Sequence, residues 1–310
     1  MSTFPLFCLP LLVLEEVLKC LNPIELFKLS QCSKKMINLI PQAGTKNYHL
    51  FVNFSTDKLI INDRYYFGNG KFWSWISESC RMNIDGDLIS SLRRMLEIFK
   101  CGIYSLETRW GTGAAEFESL IPIILENDRP IRMFTLKGTS ISAENLEQIF
   151  KISESLEIHM DISSFRFEQF PCFPKHFSIS RSYEITLSDL LSLKQCVSIE
   201  LNDSLLTNKD LDAFLESWKK GEFPNLEFVR MQGKFSVKQQ LAGLGGWPRN
   251  INDGYKHKTF NNCTVFMRGG ETIERADGVK ATVQLNTRFT FSVLSVDEAT
   301  LPIKMQNLQI

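Results

Sequence analysis

The first 40 residues alternate apolar and polar positions with the spacing of short amphipathic helices. Val13, Val17 and Leu21 recur every four residues, and charged side chains between them occupy the other side of the predicted helix. A helix can begin at Pro10, because the first helical turn does not use the N–H that proline lacks. The pattern therefore predicts a first helix from about residue 10 to residue 21.

Two further short helices are predicted to follow. Asn22 can serve as a helix N-cap, Pro23 suits the first helical position, and Glu25 can reach back to complete a capping box. Ser33 is expected to cap a third helix, which Pro41 ends. Three helices in about 40 residues cannot bury all the apolar side chains that they carry. The excess predicts an interface with another protein.

The same stretch resembles the F-box, a helical module of cullin-type ubiquitin ligases. The resemblance is carried by Phe4-Pro5-Leu6, Leu9-Pro10, the apolar stripe that follows, and Ser33-Lys34-Lys35. It implies that the module binds a small Skp-type adaptor, which bridges to the cullin scaffold. The family's adaptor-facing and core positions then fall on Leu9, Pro10, Val13, Val17, Leu18, Leu21, Leu26 and Leu29.

Two other interpretations of the N-terminal stretch compete with this one. A secretory signal peptide fits poorly, because there is no basic segment, prolines interrupt the apolar run, and Glu15-Glu16 follow it. The run is also too short to cross a bilayer. An ordinary helical hairpin of a larger domain is the second alternative.

The middle of the chain contains an internal repeat. Residues 134–146 align with residues 199–211, and each copy reads as a strand, a turn, a Ser or Thr N-cap and an amphipathic helix; a weaker third copy begins at Thr186. Strands are expected to start near residues 102, 131, 156, 197 and 226. This spacing predicts an α/β fold in which parallel strands and helices form a leucine-rich-repeat-like solenoid. The Phe-rich stretch 165–177 is expected to be a loop-rich insertion.

The C-terminal part favours antiparallel strands. Asp277-Gly278 separates two alternating runs, which predicts a tight hairpin whose two central residues both have positive φ. Phe289, Phe291 and Val293 alternate in a further strand. These strands, at about residues 255–300, would form a β cap on the last repeat. The domain prediction is an adaptor-binding module over residues 1–42 and a second domain over residues 43–310.

The second domain is similar to the F-box-associated type 2 domain of a large nematode group of F-box proteins. The matching features are the segment from Leu201-Asn202-Asp203-Ser204 to Trp218, Pro224-Asn225-Leu226-Glu227, and the hairpin around Asp277-Gly278. Members often have Val-Trp in the last strand, where this chain has Val293-Leu294. The resemblance implies that this domain selects the substrate of the ligase.

The composition of the chain mainly excludes classes of partner and of chemistry. The 310 residues carry 35 basic and 35 acidic side chains, so neither a nucleic-acid partner nor a membrane surface is indicated. The eight cysteines lack zinc-ligand spacing and are expected to be reduced thiols of a cytoplasmic or nuclear protein. Cys8, Cys20 and Cys32 are expected to be small buried hydrophobes. No catalytic residue, metal site or cofactor is predicted, since no nucleophile or phosphate-binding signature occurs. Trp218 is expected in the core.

The leading hypothesis is a non-enzymatic substrate-recognition subunit of a Skp–cullin–F-box ubiquitin ligase, with an unknown protein target. One alternative is an adaptor-bound interaction scaffold that leads to no ubiquitination. Another is a secreted leucine-rich-repeat-like binding protein, which would require cleavage after about residue 20.

Overall fold

The computed structural model describes residues 9–68, 76–84, 86–111, 114–126, 129–138, 141–162, 164–233, 235, 241, 254–258, 264–268, 270–285 and 288–293. The chain divides into two compact units, Met1–Ile141 and Ser142–Ile310. Phe4-Pro5-Leu6, Cys8 and Leu294, all named from the sequence, lie outside the described residues.

The N-terminal unit is helical at its start and then mixes strands with helices. Its helices are α1 (Leu11–Lys19), α2 (Pro23–Cys32), α3 (Lys34–Leu39), α4 (Leu88–Phe99) and α5 (Ala114–Leu125), with 3₁₀ helices at Ile40–Ala43 and Thr45–Asn47. Its strands are β1 (Leu50–Asn53), β2 (Lys58–Ile61), β3 (Tyr65–Gly68), β4 (Arg81–Asn83), β5 (Ile103–Glu107) and β6 (Met133–Leu136). They follow the order β6-β5-β1-β2-β3-β4. The β1–β5 and β5–β6 pairs are parallel, whereas β1–β2 and β2–β3 are antiparallel.

The C-terminal unit is built on parallel strands and ends in antiparallel ones. Its parallel strands are β7 (Ser155–Ile158), β8 (His176–Ile179), β9 (Ser198–Ser204) and β10 (Phe228–Gly233), with helices α6 (Ala143–Ile152), α7 (Leu187–Ser192) and α8 (Asn208–Lys219). The later strands are β11 (Gly254–Lys258), β12 (Thr264–Arg268), β13 (Glu271–Glu274), β14 (Lys280–Leu285) and β15 (Arg288–Val293). The sheet order is β7-β8-β9-β10-β15-β14-β13, and β11 pairs with β12 in a separate sheet.

The α/β class and the strand starts predicted from the sequence are confirmed. β5, β6, β7, β9 and β10 each begin within two residues of the predicted position. The predicted N-caps are also present: the hydroxyls of Ser142, Thr186 and Thr207 accept from backbone N–H groups in the first turns of α6, α7 and α8. Each cap satisfies an amide that the helix itself leaves unpaired, so the sequence determines where these helices begin.

The prediction that residues 165–177 form a loop-rich insertion is wrong at its end, because β8 begins at His176 and lies between β7 and β9. Of the phenylalanines before it, Phe165, Phe167 and Phe170 are buried core residues and Phe173 is half-buried. Phe167, Phe170 and Phe173 pack around Phe150 of α6 and Phe177 of β8, with ring centroids 5.0–6.4 Å apart. Aromatic burial rather than a helical stripe fills this part of the core.

The C-terminal hairpin is confirmed, but its turn is not the one predicted. Among the turn residues only Gly278 has positive φ, at 85°. The Arg275 N–H donates to the Val279 carbonyl, and the Gly278 N–H donates to the Arg275 carbonyl. The loop therefore has three residues with glycine in the left-handed position, which is the next commonest hairpin connection. Both β13 and β14 belong to the sheet that contains β10.

Trp218 lies in the core of the C-terminal unit, as predicted, and is fully buried. Its ring packs on Phe291 of β15 at 5.1 Å between centroids, and the Arg275 guanidinium lies 5.5 Å from the ring centroid. Arg275 also donates to the Phe223 carbonyl at 3.1 Å and pairs with Asp277 at 2.8 Å. Hydrogen bonds from Arg275 lower the pKa of Asp277 to about 2. The arginine thus joins the hairpin to α8.

The expectation that the N-terminal cysteines are buried is wrong for Cys20 and Cys32, which are exposed at the ends of α1 and α2. Neither lies on the inward side of its helix, so helical periodicity alone did not place them. Cys101 and Cys196 are buried instead, and burial raises the pKa of the Cys101 thiol to about 11 and also raises that of Cys196.

Iodoacetamide at pH 8 is expected to modify Cys20 and Cys32 and to leave Cys101 and Cys196 intact, because the thiolate is the reactive form and must be accessible. Peptide mass spectrometry measures this, with a sample unfolded in urea as the control in which all four react. The Cys101 thiol has a pKa above its ordinary value of 9.0 in the folded chain. It should therefore stabilise the fold below pH 9 and cease to do so as the pH rises toward 11. Rapid labelling of Cys196 in the folded chain would contradict its placement.

Candidate adaptor interface

Helix α1 presents three consecutive large apolar side chains to solvent. Leu11, Leu12 and Val13 are 55%, 76% and 45% exposed, and we refer to them as the α1 patch. Leu14 and Leu18 face inward and are buried. Large aliphatic side chains grouped in this way on one short helix are typical of a surface that another protein covers.

Helices α2 and α3 have the local signals that the sequence predicts. The Asn22 side chain accepts from the Ile24 and Glu25 N–H groups, and the Asn22 N–H donates to the Glu25 carboxylate at 2.8 Å, which completes the capping box. The Ser33 hydroxyl accepts from the Lys35 N–H at the start of α3. These caps fix two tight connections, so the three helices fold back on one another instead of forming one long helix.

The three helices pack against the rest of the N-terminal unit. Phe27 of α2 is buried, with its ring 5.6 Å from that of Phe67 in β3 and the Arg94 guanidinium of α4 5.3 Å from its ring centroid. The Thr45 hydroxyl donates to the Phe99 carbonyl at 2.6 Å in a fully buried contact. The carbonyl belongs to the last turn of α4, whose final carbonyls have no partner within the helix. The N-terminal helices thus share their core with β3 and α4.

The adaptor positions implied by resemblance occupy different environments. Pro10 and Val13 are exposed, whereas Leu9, Val17, Leu21 and Leu29 are half-buried. Leu18 and Leu26 are fully buried within the unit. Leu11 and Leu12, the most exposed members of the α1 patch, were not selected from the sequence. An unbroken run of four apolar residues, from Leu11 to Leu14, gives no periodicity that separates an outer side of the helix from an inner one.

The C-terminal unit has a polar sheet face. In-register pairs place Glu157, Ser178, Glu200, Arg230 and Thr290 in one row across β7, β8, β9, β10 and β15. The alternate positions carry aromatic side chains that contact helices, such as Phe177 against Phe150 of α6 and Phe289 against Phe214 of α8. The polar row therefore lies on the face opposite α6 and α8.

Ion pairs and hydrogen bonds join the side chains of this face. Arg230 pairs with Glu200 at 3.2 Å, and burial raises the pKa of Glu200 despite the nearby arginine. His159 Nδ1 lies 2.8 Å from the Ser180 hydroxyl, and its Nε2 lies 2.9 Å from the Glu157 carboxylate. A hydrolytic triad has its serine at Nε2 and its acid at Nδ1, so the order here is the reverse. The arrangement is therefore not that of a hydrolytic triad.

No group of three or more His, Cys, Asp or Glu side chains in the described residues could hold a metal ion. None of the described helices combines the length and apolarity that crossing a bilayer requires.

Two separate parts of the chain match known protein families. Residues 6–43 match the F-box domain, and residues 167–231 match the family described as F-box associated. The chain therefore contains an F-box domain at its N-terminus and an F-box-associated region C-terminal to it. The F-box match includes α1, α2, α3 and the following 3₁₀ helix, and therefore contains the whole α1 patch. The F-box-associated match begins in the phenylalanine cluster and ends in β10.

Similar proteins occur in the nematode Caenorhabditis elegans. The chain is 34% identical over 129 residues to the Skn-1 dependent zygotic transcript 15 protein, a match that covers 37% of this chain and 33% of that protein. It is 23% identical over 320 residues to a second protein, described as uncharacterized, with 90% of this chain and 75% of the relative covered. The chain thus aligns with only about a third of the first relative's length. No solved structure matches the chain.

Proposed function

We propose that the protein is a substrate receptor of a Skp–cullin–F-box ubiquitin ligase and that the α1 patch docks the Skp-type adaptor. An F-box domain implies such an adaptor, and F-box proteins are typically non-catalytic subunits of these ligases. The observation that carries the proposal is the exposure of Leu11, Leu12 and Val13 within the matched domain. Burying one such side chain contributes about 1.5–3 kcal/mol, so an adaptor that covers all three gains a substantial part of its binding energy.

In this proposal the adaptor-binding module spans residues 1–42, and Leu9, Pro10, Val17, Leu21 and Leu29 border the patch or support it. Leu18 and Leu26 contribute as core residues that hold α1 and α2 in place. The adaptor links the chain to a cullin scaffold, and the chain acts in the cytosol or nucleus, where its thiols stay reduced.

Residues 43–310 form the substrate-recognition domain in this proposal, with parallel strand–helix units stacked as a leucine-rich-repeat-like solenoid. The polar face that carries Glu157, Glu200 and Arg230 is the target-binding face. Support comes from the position of α6 and α8 on the other face, which leaves the strand-lined side for a partner. A bound target's lysines are then held at high effective concentration near the ubiquitin-charged conjugating enzyme.

Replacing Leu12 by aspartate tests the adaptor interface. Leu12 is 76% exposed, so the change should not disturb the core, but it would place a charge in a desolvated interface. The binding of the full chain to a Skp-type adaptor, measured by isothermal titration calorimetry, should weaken by about 1.5–3 kcal/mol, which raises Kd about ten- to 150-fold.

Leu125→Asp is the matched control, since Leu125 is 44% exposed on α5 and lies outside the F-box match. It should bind the adaptor as the unaltered chain does. If both variants bound the adaptor with equal affinity, α1 would not be part of the interface. Failure of the unaltered, folded chain to bind any Skp-type adaptor would overturn the proposed function itself.

A further inference from the structure

A second candidate binding surface is a cleft within the N-terminal unit. It has a volume of about 810 Å³ and lies between the end of α3 and its following 3₁₀ helix on one side and α4 and α5 on the other. This volume is within the range of small-molecule and peptide sites. None of the α1 patch residues lines it, so the cleft is separate from the proposed adaptor interface.

The cleft is predominantly basic. Lys46, Arg93, Lys100 and Arg129 line it, against the two carboxylates of Glu97 and Glu126. In the part of the chain that the structure describes, Lys46, Arg93 and Lys100 form no ion pair with a carboxylate within 4.0 Å. The formal net charge of the whole chain is zero, so this local excess of positive charge is not a property of the whole surface.

The electrostatics of helix ends explains the position of only one of these cations. Lys100 is the C-cap of α4, where a positive charge interacts favourably with the negative end of the helix. Arg93 lies in the middle of α4, and Lys46 belongs to the 3₁₀ helix Thr45–Asn47. The electrostatics of a helix end therefore does not explain why Arg93 and Lys46 line the same cleft.

The cleft also offers apolar surface. Ile37, Pro41 and Leu96 line it and are half-buried, and Ile123 lines it from α5. Partly exposed aliphatic side chains next to Lys46, Arg93 and Lys100 are complementary to a ligand that carries both carboxylates and aliphatic groups. A simple inorganic anion would leave this apolar surface in contact with water.

We propose that this cleft binds an acidic peptide segment with interspersed aliphatic side chains. The peptide's carboxylates pair with Lys46, Arg93 and Lys100, and its aliphatic side chains cover Ile37 and Leu96. Because the cleft is lined by the F-box helix α3 and also by α4 and α5, a bound peptide contacts both parts of the N-terminal unit at once.

The test uses the full chain and a fluorescein-labelled peptide of sequence Glu-Leu-Glu-Glu-Leu-Glu in fluorescence anisotropy. A peptide with glutamine in place of each glutamate is the matched probe. The acidic peptide should bind at least about tenfold more tightly than its neutral match, and its affinity should fall between 50 and 300 mM salt, because screening weakens exposed charge pairs.

The double variant Lys46→Glu with Arg93→Glu should reduce the affinity for the acidic peptide at least about tenfold. The control is Lys209→Glu with Lys220→Glu, which changes the net charge equally at two exposed positions of the C-terminal unit and should have no effect. Unchanged circular dichroism melts would show that both variants fold. The proposal would be overturned if the two peptides bound equally or if the acidic peptide did not bind. It would also be overturned if both double variants lost the same affinity for the acidic peptide. Adaptor binding is measured separately, so failure here leaves the proposed function untouched.

Discussion

Replacing Trp218 by alanine is expected to lower the free energy of unfolding of the C-terminal unit by about 3–5 kcal/mol. The indole is fully buried, packs on Phe291 and lies beside the Arg275 guanidinium. Its loss leaves a cavity between α8 and β15 that the surrounding side chains can fill only in part. Urea unfolding followed by far-UV circular dichroism measures the change, and hydrogen exchange in α8 and β15 assigns it to this unit.

Trp218→Phe is the informative control. Among the described residues the buried indole Nε1–H has no hydrogen-bond partner, so phenylalanine keeps most of the apolar contact and removes an unsatisfied donor. We expect it to change the free energy of unfolding by less than about 1.5 kcal/mol. If both substitutions destabilised the unit equally, the indole N–H rather than the ring would be the stabilising group.

Residues 1–45 alone are expected to remain largely unfolded, whereas residues 1–141 should melt cooperatively. The shorter fragment lacks Phe67, Arg94 and Phe99, which cover Phe27 and Thr45 in the intact unit. Isolated helices of six to ten residues are marginal in water. Far-UV circular dichroism over a temperature ramp distinguishes a cooperative transition from a gradual loss of signal.

The adaptor provides the control for this experiment. If residues 1–45 gain helical signal only when mixed with a Skp-type adaptor, the partner replaces the missing core, and the fragment was unfolded for the reason given. A sharp melting transition of residues 1–45 alone would show instead that the F-box helices are an independent domain.

Local signals in the sequence predicted much of this fold. Asn22, Ser33, Ser142 and Thr207 begin their helices because each hydroxyl or amide oxygen satisfies backbone N–H groups within four residues. Such information is contained in a short segment, so it can be read without the rest of the chain. The strand starts were predictable for the same reason, since apolar runs and turn residues bound them.

Features that depend on distant contacts were not predictable in this way. β8 is a four-residue strand preceded by two prolines, and it is held by pairing with β7 and β9 on both sides. The environment of Leu12 depends on which side of α1 the other helices cover, and that is a property of the assembled unit. The basic cleft is likewise invisible in the sequence, because Lys46, Arg93 and Arg129 are brought together only by folding.

The burial of Phe27 against Phe67 and Arg94 limits the exchange of parts between proteins. A foreign F-box module joined at residue 44 of this chain would leave Phe67 and Arg94 without the ring of Phe27, unless it supplied an equivalent side chain. A chimera would need a large apolar side chain at the position of Phe27 and the native hydroxyl of Thr45 to keep its bond to the Phe99 carbonyl. The F-box end of this chain is therefore compatible only with donor modules that can complete the core of the N-terminal unit.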